Sequence, residues 1–169
     1  PSDCMDFYKD HPGRKLAKKY ASKKALKLIS DEKLPTEQGS AWPIDQSDEG
    51  CDDDVECKQG NPWFRQIDLI KIEDNDAISD SGAELAGLFA KKGIKNVILM
   101  GVHTNMCVIG RSFGLRNMVR LGMNVVLMRD LTDVMYDHKQ FPKVSHFTGT
   151  SLVAEYIEAN VCPSMVSSD

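Results

Sequence analysis

The residue in this sequence best placed to do chemistry is Cys107. It lies in GVHTNMCV, Gly101 to Val108, directly after the apolar run Val97-Ile98-Leu99-Met100. As a thiolate, cysteine attacks carbonyl carbon and forms covalent intermediates. Thr104 or Asn105 can cap a helical segment here, because either side chain accepts a backbone N–H from a first turn. Cys107 would then sit in that first turn, where the positive end of the helix dipole favours thiolate over thiol. The turn's free N–H groups could also stabilise the oxyanion of an attacked carbonyl. The competing reading is a small buried cysteine filling space at a helix start.

A thiol is useful only if the fold carries it to an open edge. Val97 to Met100 reads as a parallel strand buried on both faces and ended by Gly101. From Met106 to Leu121 apolar residues recur at helical spacing, and Gly122 stops the pattern before the next strand, Val125 to Met128. Such a unit closes as a right-handed crossover. Cys107 then stands at the carboxyl edge of the sheet, where open α/β sheets bind ligands.

The flanking elements are read in the same way. Pro1 to Pro12 reads as a loop leaving a strand that this sequence does not contain. Gly13 to Ser30 carries a basic helical pattern, taken as a solvated face. Residues 31–66 form a long irregular insertion, rich in proline, glycine and acid. Its centre, DQSDEGCDDDVE, has the composition of a calcium loop without EF-hand spacing. Ile67 to Ile72 alternates and reads as a strand bearing Lys71. A helix follows from Ala83 to Lys92, with Asp80 or Ser81 as cap and Gly93 as stop. Asp130 to Asp133 reads as a loop after the second strand, followed by loop residues Tyr136, His138 and His146. Gly149 to Ala159 makes a last amphipathic helix, and VCPSMVSSD a tail.

A length of 169 residues with 41% hydrophobic content suits one domain spanning 1–169. Net charge of −4 and a pI near 5.6 give no general attraction to nucleic acid or anionic membrane. No apolar run approaches the roughly 18 residues that span a bilayer. Cys51 and Cys57 could close a small disulfide in an oxidising compartment and imply export; otherwise a soluble cytoplasmic protein is the default.

GVHTNMCV resembles the nucleophile turn of the isochorismatase-like cysteine hydrolases, Gly-Val-x-Thr-x-x-Cys-Val after a buried strand. The resemblance extends through DLTDVMY, Asp130 to Tyr136, and back to about Ile67. It implies a three-layer, doubly wound parallel α/β sheet and an amidase triad of cysteine, aspartate and lysine. Cys107 becomes the nucleophile and Lys71 the lysine. The N–H groups of His103 and Cys107 become the oxyanion hole, the Val102–His103 peptide the family's cis bond, and Thr104 and Asn105 substrate-binding positions. The family's catalytic aspartate lies on a first strand that has no match here; Asp3, Asp6 and Asp10 are loop carboxylates. Nicotinamidases in that family hold a metal through an Asp-x-His pair and further histidines. With only His11 before Lys71, this chain lacks that set, so neither metal nor cofactor is expected. His103 is close enough in sequence for a Cys–His pair, although the family does not use this position as a base.

The expectation is a hydrolase of a small amide or related C–N bond, working through an acyl-enzyme on Cys107. The alternative is a non-catalytic relative that keeps the fold for ligand binding or assembly. A vinyl ether hydrolase of the isochorismatase type is disfavoured, since such members lack the cysteine. The partners implied are a small-molecule substrate and further copies of the chain in a homo-oligomer, with no nucleic acid and no membrane.

Overall fold

The computed structural model describes residues 2–27, 29, 41–47 and 64–168. Cys51, Cys57 and the acidic centre of the 31–66 insertion lie outside them, apart from its first residues. The opening segment is helical rather than a loop: α1 spans Ser2–Phe7 and α2 spans Pro12–Lys19. Pro12 at the first helical position and His11 as N-cap explain the start of α2. The imidazole Nδ1 accepts the Gly13 N–H at 3.0 Å, and proline's missing N–H costs nothing there. The basic pattern does not continue as one helix to Ser30. It stops at Tyr20 and resumes as a single tight turn at Ala25–Lys27.

Nor is the basic face wholly solvated. Arg14 is buried and forms a two-pronged ion pair with Glu84 of helix α3, Gly82–Lys92, while also donating to the Ile78 carbonyl. Burial pushes the Glu84 carboxyl up, but hydrogen bonds from Arg14 and Ser79, with the charges of Arg14 and Lys18, bring it below its ordinary value. The pair therefore contributes stability above the ordinary glutamate range, and loses it as pH falls through that range and below. Replacing Arg14 with Met would leave a carboxylate uncompensated in a nearly closed site. We expect a loss of about 3 kcal/mol, the low end for a broken buried pair. Urea unfolding at pH 7 and pH 4 checks it: the difference between wild type and variant should shrink at the lower pH.

The sheet is parallel, in the order β1 (Asn96–Val102), β2 (Asn124–Asp133), β3 (Ser164–Met165). Part of the expected tail thus becomes its third strand. Helix α4, Leu115–Arg120, joins β1 to β2, and α5, His146–Asn160, joins β2 to β3. Successive crossovers of one hand between neighbouring strands put both helices on one face. There Leu115 and Met118 of α4 and Val153 and Ile157 of α5 close on Val125 and Leu127 of β2, with Leu85 and Phe89 of α3 packed against them. Burial on both faces holds for central β2, where Val125, Leu127 and Met128 are all buried. It fails for β1: Ile98, Met100 and Val102 point away from the helices and stay about half exposed.

Three further expectations change. The single helix from Met106 to Leu121 is broken at Arg111–Gly114. The break admits the start of α3: the Ser112 hydroxyl accepts the Gly82 N–H at 3.0 Å, and a Cβ on Gly82 would fall 1.9 Å from the Ser112 carbonyl oxygen. Ser81 occupies the N-cap position of α3 without a capping side-chain bond, so the cap comes from across the fold. Secondly, Ile67 to Ile72 is bends and turns, not a strand. Its alternating Ile67, Leu69 and Lys71 are exposed, with no neighbouring strand among the described residues to bury one face. Thirdly, Asp130–Asp133 is the end of β2 rather than a loop, and His146 opens α5. No described helix is long and apolar enough to cross a membrane.

Candidate active site

Two irregularities shape the carboxyl edge of the sheet. Gly101 takes φ +111, a conformation that side-chain-bearing residues rarely adopt. Beside it the ladder slips: Leu99 pairs with Leu127, but the next pair is Gly101 with Thr132, so β2 bulges by three residues. The Thr132 hydroxyl bridges the bulge to the Met128 carbonyl at 2.6 Å. Bulges re-aim a strand end and are common near active sites. Here the bulge sets Asp133 opposite Val102.

The peptide between Val102 and His103 is cis. The chain then enters one wide turn, Thr104–Val108, with i to i+5 bonding; such turns recur at functional sites. The His103 carbonyl accepts both the Met106 and Val108 N–H groups at 3.1 Å, which leaves the Cys107 N–H outside that fork. Cys107 is a free thiol and half-buried, neither sealed in the core nor fully exposed.

Thr104 and Asn105 face inward. Each is 1% exposed, and their side chains are committed to the backbone of the β2 end. Thr104 Oγ1 donates to the Asp133 carbonyl at 2.8 Å. Asn105 pairs with Met135 as a strand would, donating to its carbonyl at 2.9 Å and accepting its N–H at 3.0 Å. A second Asn105 donor bond reaches Gln46 at 3.0 Å. Both side chains thus serve as scaffold for the turn. Asparagine at a turn start signals only a cap in sequence; its partners thirty residues on carry no local mark.

Lys71 is exposed in the irregular 64–72 segment. Among the described residues it makes no hydrogen bond or ion pair. It borders a shallow depression of about 250 Å³ with Tyr8 and His11. A larger cleft of about 560 Å³ opens at the carboxyl end of β1, between Tyr8, Arg65, Ile72, Ser79 and Val102. Tyr136 is fully buried, and its hydroxyl donates to the Gln140 carbonyl while accepting from Lys143 and Val144. His138 is exposed beside Asp137.

The sequence leaves His103 open as a partner for Cys107 and places His146 in a loop after β2. Burial pushes the His103 imidazole below its ordinary value; the Asp133 charge opposes this and His146 adds to it. His103 is thus neutral at pH 7, and the three groups share one electrostatic neighbourhood. His146 contacts the Asp133 carboxylate directly, Nε2 to Oδ1 at 2.9 Å. Among the described residues no group of three or more His, Cys, Asp or Glu could hold a metal ion.

No curated protein and no solved structure matches the chain significantly. A family model does. The isochorismatase domain matches residues 46–155, which take in β1, the Cys107 turn, α4, β2 and most of α5. By that match, over an α/β fold with a parallel sheet, the chain belongs to the isochorismatase family.

Proposed function

We propose that this protein is a cysteine-dependent hydrolase of a small amide or related C–N bond. The family is hydrolytic in general. The reading of mechanism rests on one observation: Cys107 is a half-buried free thiol at the carboxyl edge of β1, on a turn whose neighbours are locked to β2. The thiolate attacks the carbonyl carbon, and the oxygen takes the charge. The N–H groups of His103 and Cys107 are the candidate donors to that oxyanion. The carbon–nitrogen bond then breaks, the nitrogen leaves as the amine with the proton the thiol gave up, and water cleaves the thioester to release the carboxylic acid and regenerate the thiol.

Iodoacetamide labelling followed by peptide mass spectrometry tests it. Cys107 should react several-fold faster at pH 7 than free cysteine, and labelling should remove turnover across a panel of small amides. The second reading is a non-catalytic member that binds a ligand or assembles. An unreactive Cys107 with no turnover on the panel would support that reading over ours.

A further inference from the structure

The Cys107 turn hangs on the end of β2, and α5 in turn holds that end. Asp133 Oδ1 accepts the Val134 N–H at 3.0 Å and the Thr150 hydroxyl at 2.9 Å, and lies 2.9 Å from His146 Nε2. The other ring nitrogen, His146 Nδ1, lies 3.1 Å from the Tyr136 carbonyl. His146 and Thr150 are four residues apart in the first turns of α5, hence on one helix face. One imidazole therefore spans Asp133 and Tyr136. Between them lie the Asp133 and Met135 backbone groups that hold Thr104 and Asn105.

The donor count sharpens this. A carbonyl oxygen only accepts, and an ionised carboxylate only accepts. A neutral imidazole offers one N–H and can satisfy one of the two; both bonds form together when each ring nitrogen carries a proton. The ring is about a third exposed and the carboxylate about half, so the pair is open to exchange with solvent. A bond network confined to packing would need no such ring: the Thr150 and Val134 bonds already satisfy Asp133 Oδ1.

We propose that His146 is a positioning residue for Cys107, acting through Asp133 and Tyr136 to hold the segment from which the cysteine turn is suspended. This rests on the reading of Cys107 as the nucleophile, and assigns to α5 a part in the reaction although it contributes no group to the reacting atoms. Glutamine places an amide nitrogen near the position of Nε2, and asparagine one near Nδ1. Each restores one bond, and alanine restores neither.

The test uses the full chain with His146→Ala, His146→Gln, His146→Asn and Asp133→Asn. Iodoacetamide labelling of Cys107 and the ¹H–¹⁵N amide position of Cys107 are read alongside thermal midpoint. Labelling should slow about five- to tenfold in His146→Ala and recover by at least half in His146→Gln. The Cys107 amide should move in step, in variants whose midpoints stay close to wild type. Unchanged labelling and unchanged amide position in His146→Ala would overturn the proposal. So would equal slowing in all three His146 variants, which marks mere loss of packing. A Cys107 that is inert in the wild type refutes the hydrolase reading instead, while the amide shifts still report whether His146 positions the turn.

Discussion

Exchanging Cys107 for Ser should abolish amide turnover, with a fall of at least roughly 10³-fold in kcat/KM and little change in stability. The exchange is close to isosteric, and the site is half-buried rather than packed in the core, so the fold has no cavity to absorb. What changes is the nucleophile. A thiol yields an appreciable thiolate population near neutral pH, whereas a serine hydroxyl needs an adjacent base to react. The imidazole nearest in sequence, His103, makes no hydrogen bond to Cys107 among the described residues, and burial keeps it neutral. Initial rates on a panel of small amides, with thermal midpoints measured on the same preparations, check this. Wild-type turnover by Cys107→Ser would remove the sulfur from the mechanism.

Replacing Asn105 with Leu should cost about 4 kcal/mol and slow Cys107 labelling in the fraction that folds. Leucine is close to asparagine in size but has no polar atoms. The Met135 N–H and carbonyl lose their partner in a place 1% exposed, and each unsatisfied backbone group costs about 1–3 kcal/mol. Gln46 loses its bond as well. Urea unfolding gives the stability loss; labelling below the transition gives the second effect. A variant as stable as wild type would mean that water replaces the side chain, and that Asn105 does not anchor the turn. Asn105→Asp discriminates further: its carboxylate can still accept the Met135 N–H, yet it faces the Met135 carbonyl without a proton to donate. We expect it to be nearly as damaging as leucine at pH 7.

The two effects are coupled through one short stretch. Asp133 to Tyr136 meets Thr104 and Asn105 on one side and His146 and Thr150 on the other. Loosening either side frees the same backbone, so double variants such as Asn105→Leu with His146→Ala should be less than additive in their effect on labelling.

The core of the site was legible because its signals are local. A β-branched and apolar run ending at Gly101, a polar turn, and Cys107 at a fixed offset are set by neighbours within about ten residues, where periodicity and turn chemistry operate. The same holds for α3, whose stop at Gly93 in the left-handed conformation agrees with its position in the sequence. The family and its parallel α/β sheet followed from that one stretch. The other features required partners distant along the chain. Alternation at Ile67 to Ile72 looked like a strand, but alternation specifies one only where another strand offers its edge. Lys71 therefore stands on an irregular segment rather than on a strand. The basic face of α2 could not reveal that Arg14 turns inward, because Glu84 comes seventy residues later.

Sequence by itself therefore determined the nucleophile candidate and the crossover that lifts it to the edge of the sheet. Tertiary structure alone decided what holds it there. The slip between β1 and β2 puts Asp133 beside Val102, and only then can Thr104, Asn105, His146 and Thr150 converge on one backbone segment. The reason is physical. Hydrogen bonds between side chains and a remote strand end depend on register, and register is fixed by the packing of the whole sheet rather than by any window of residues.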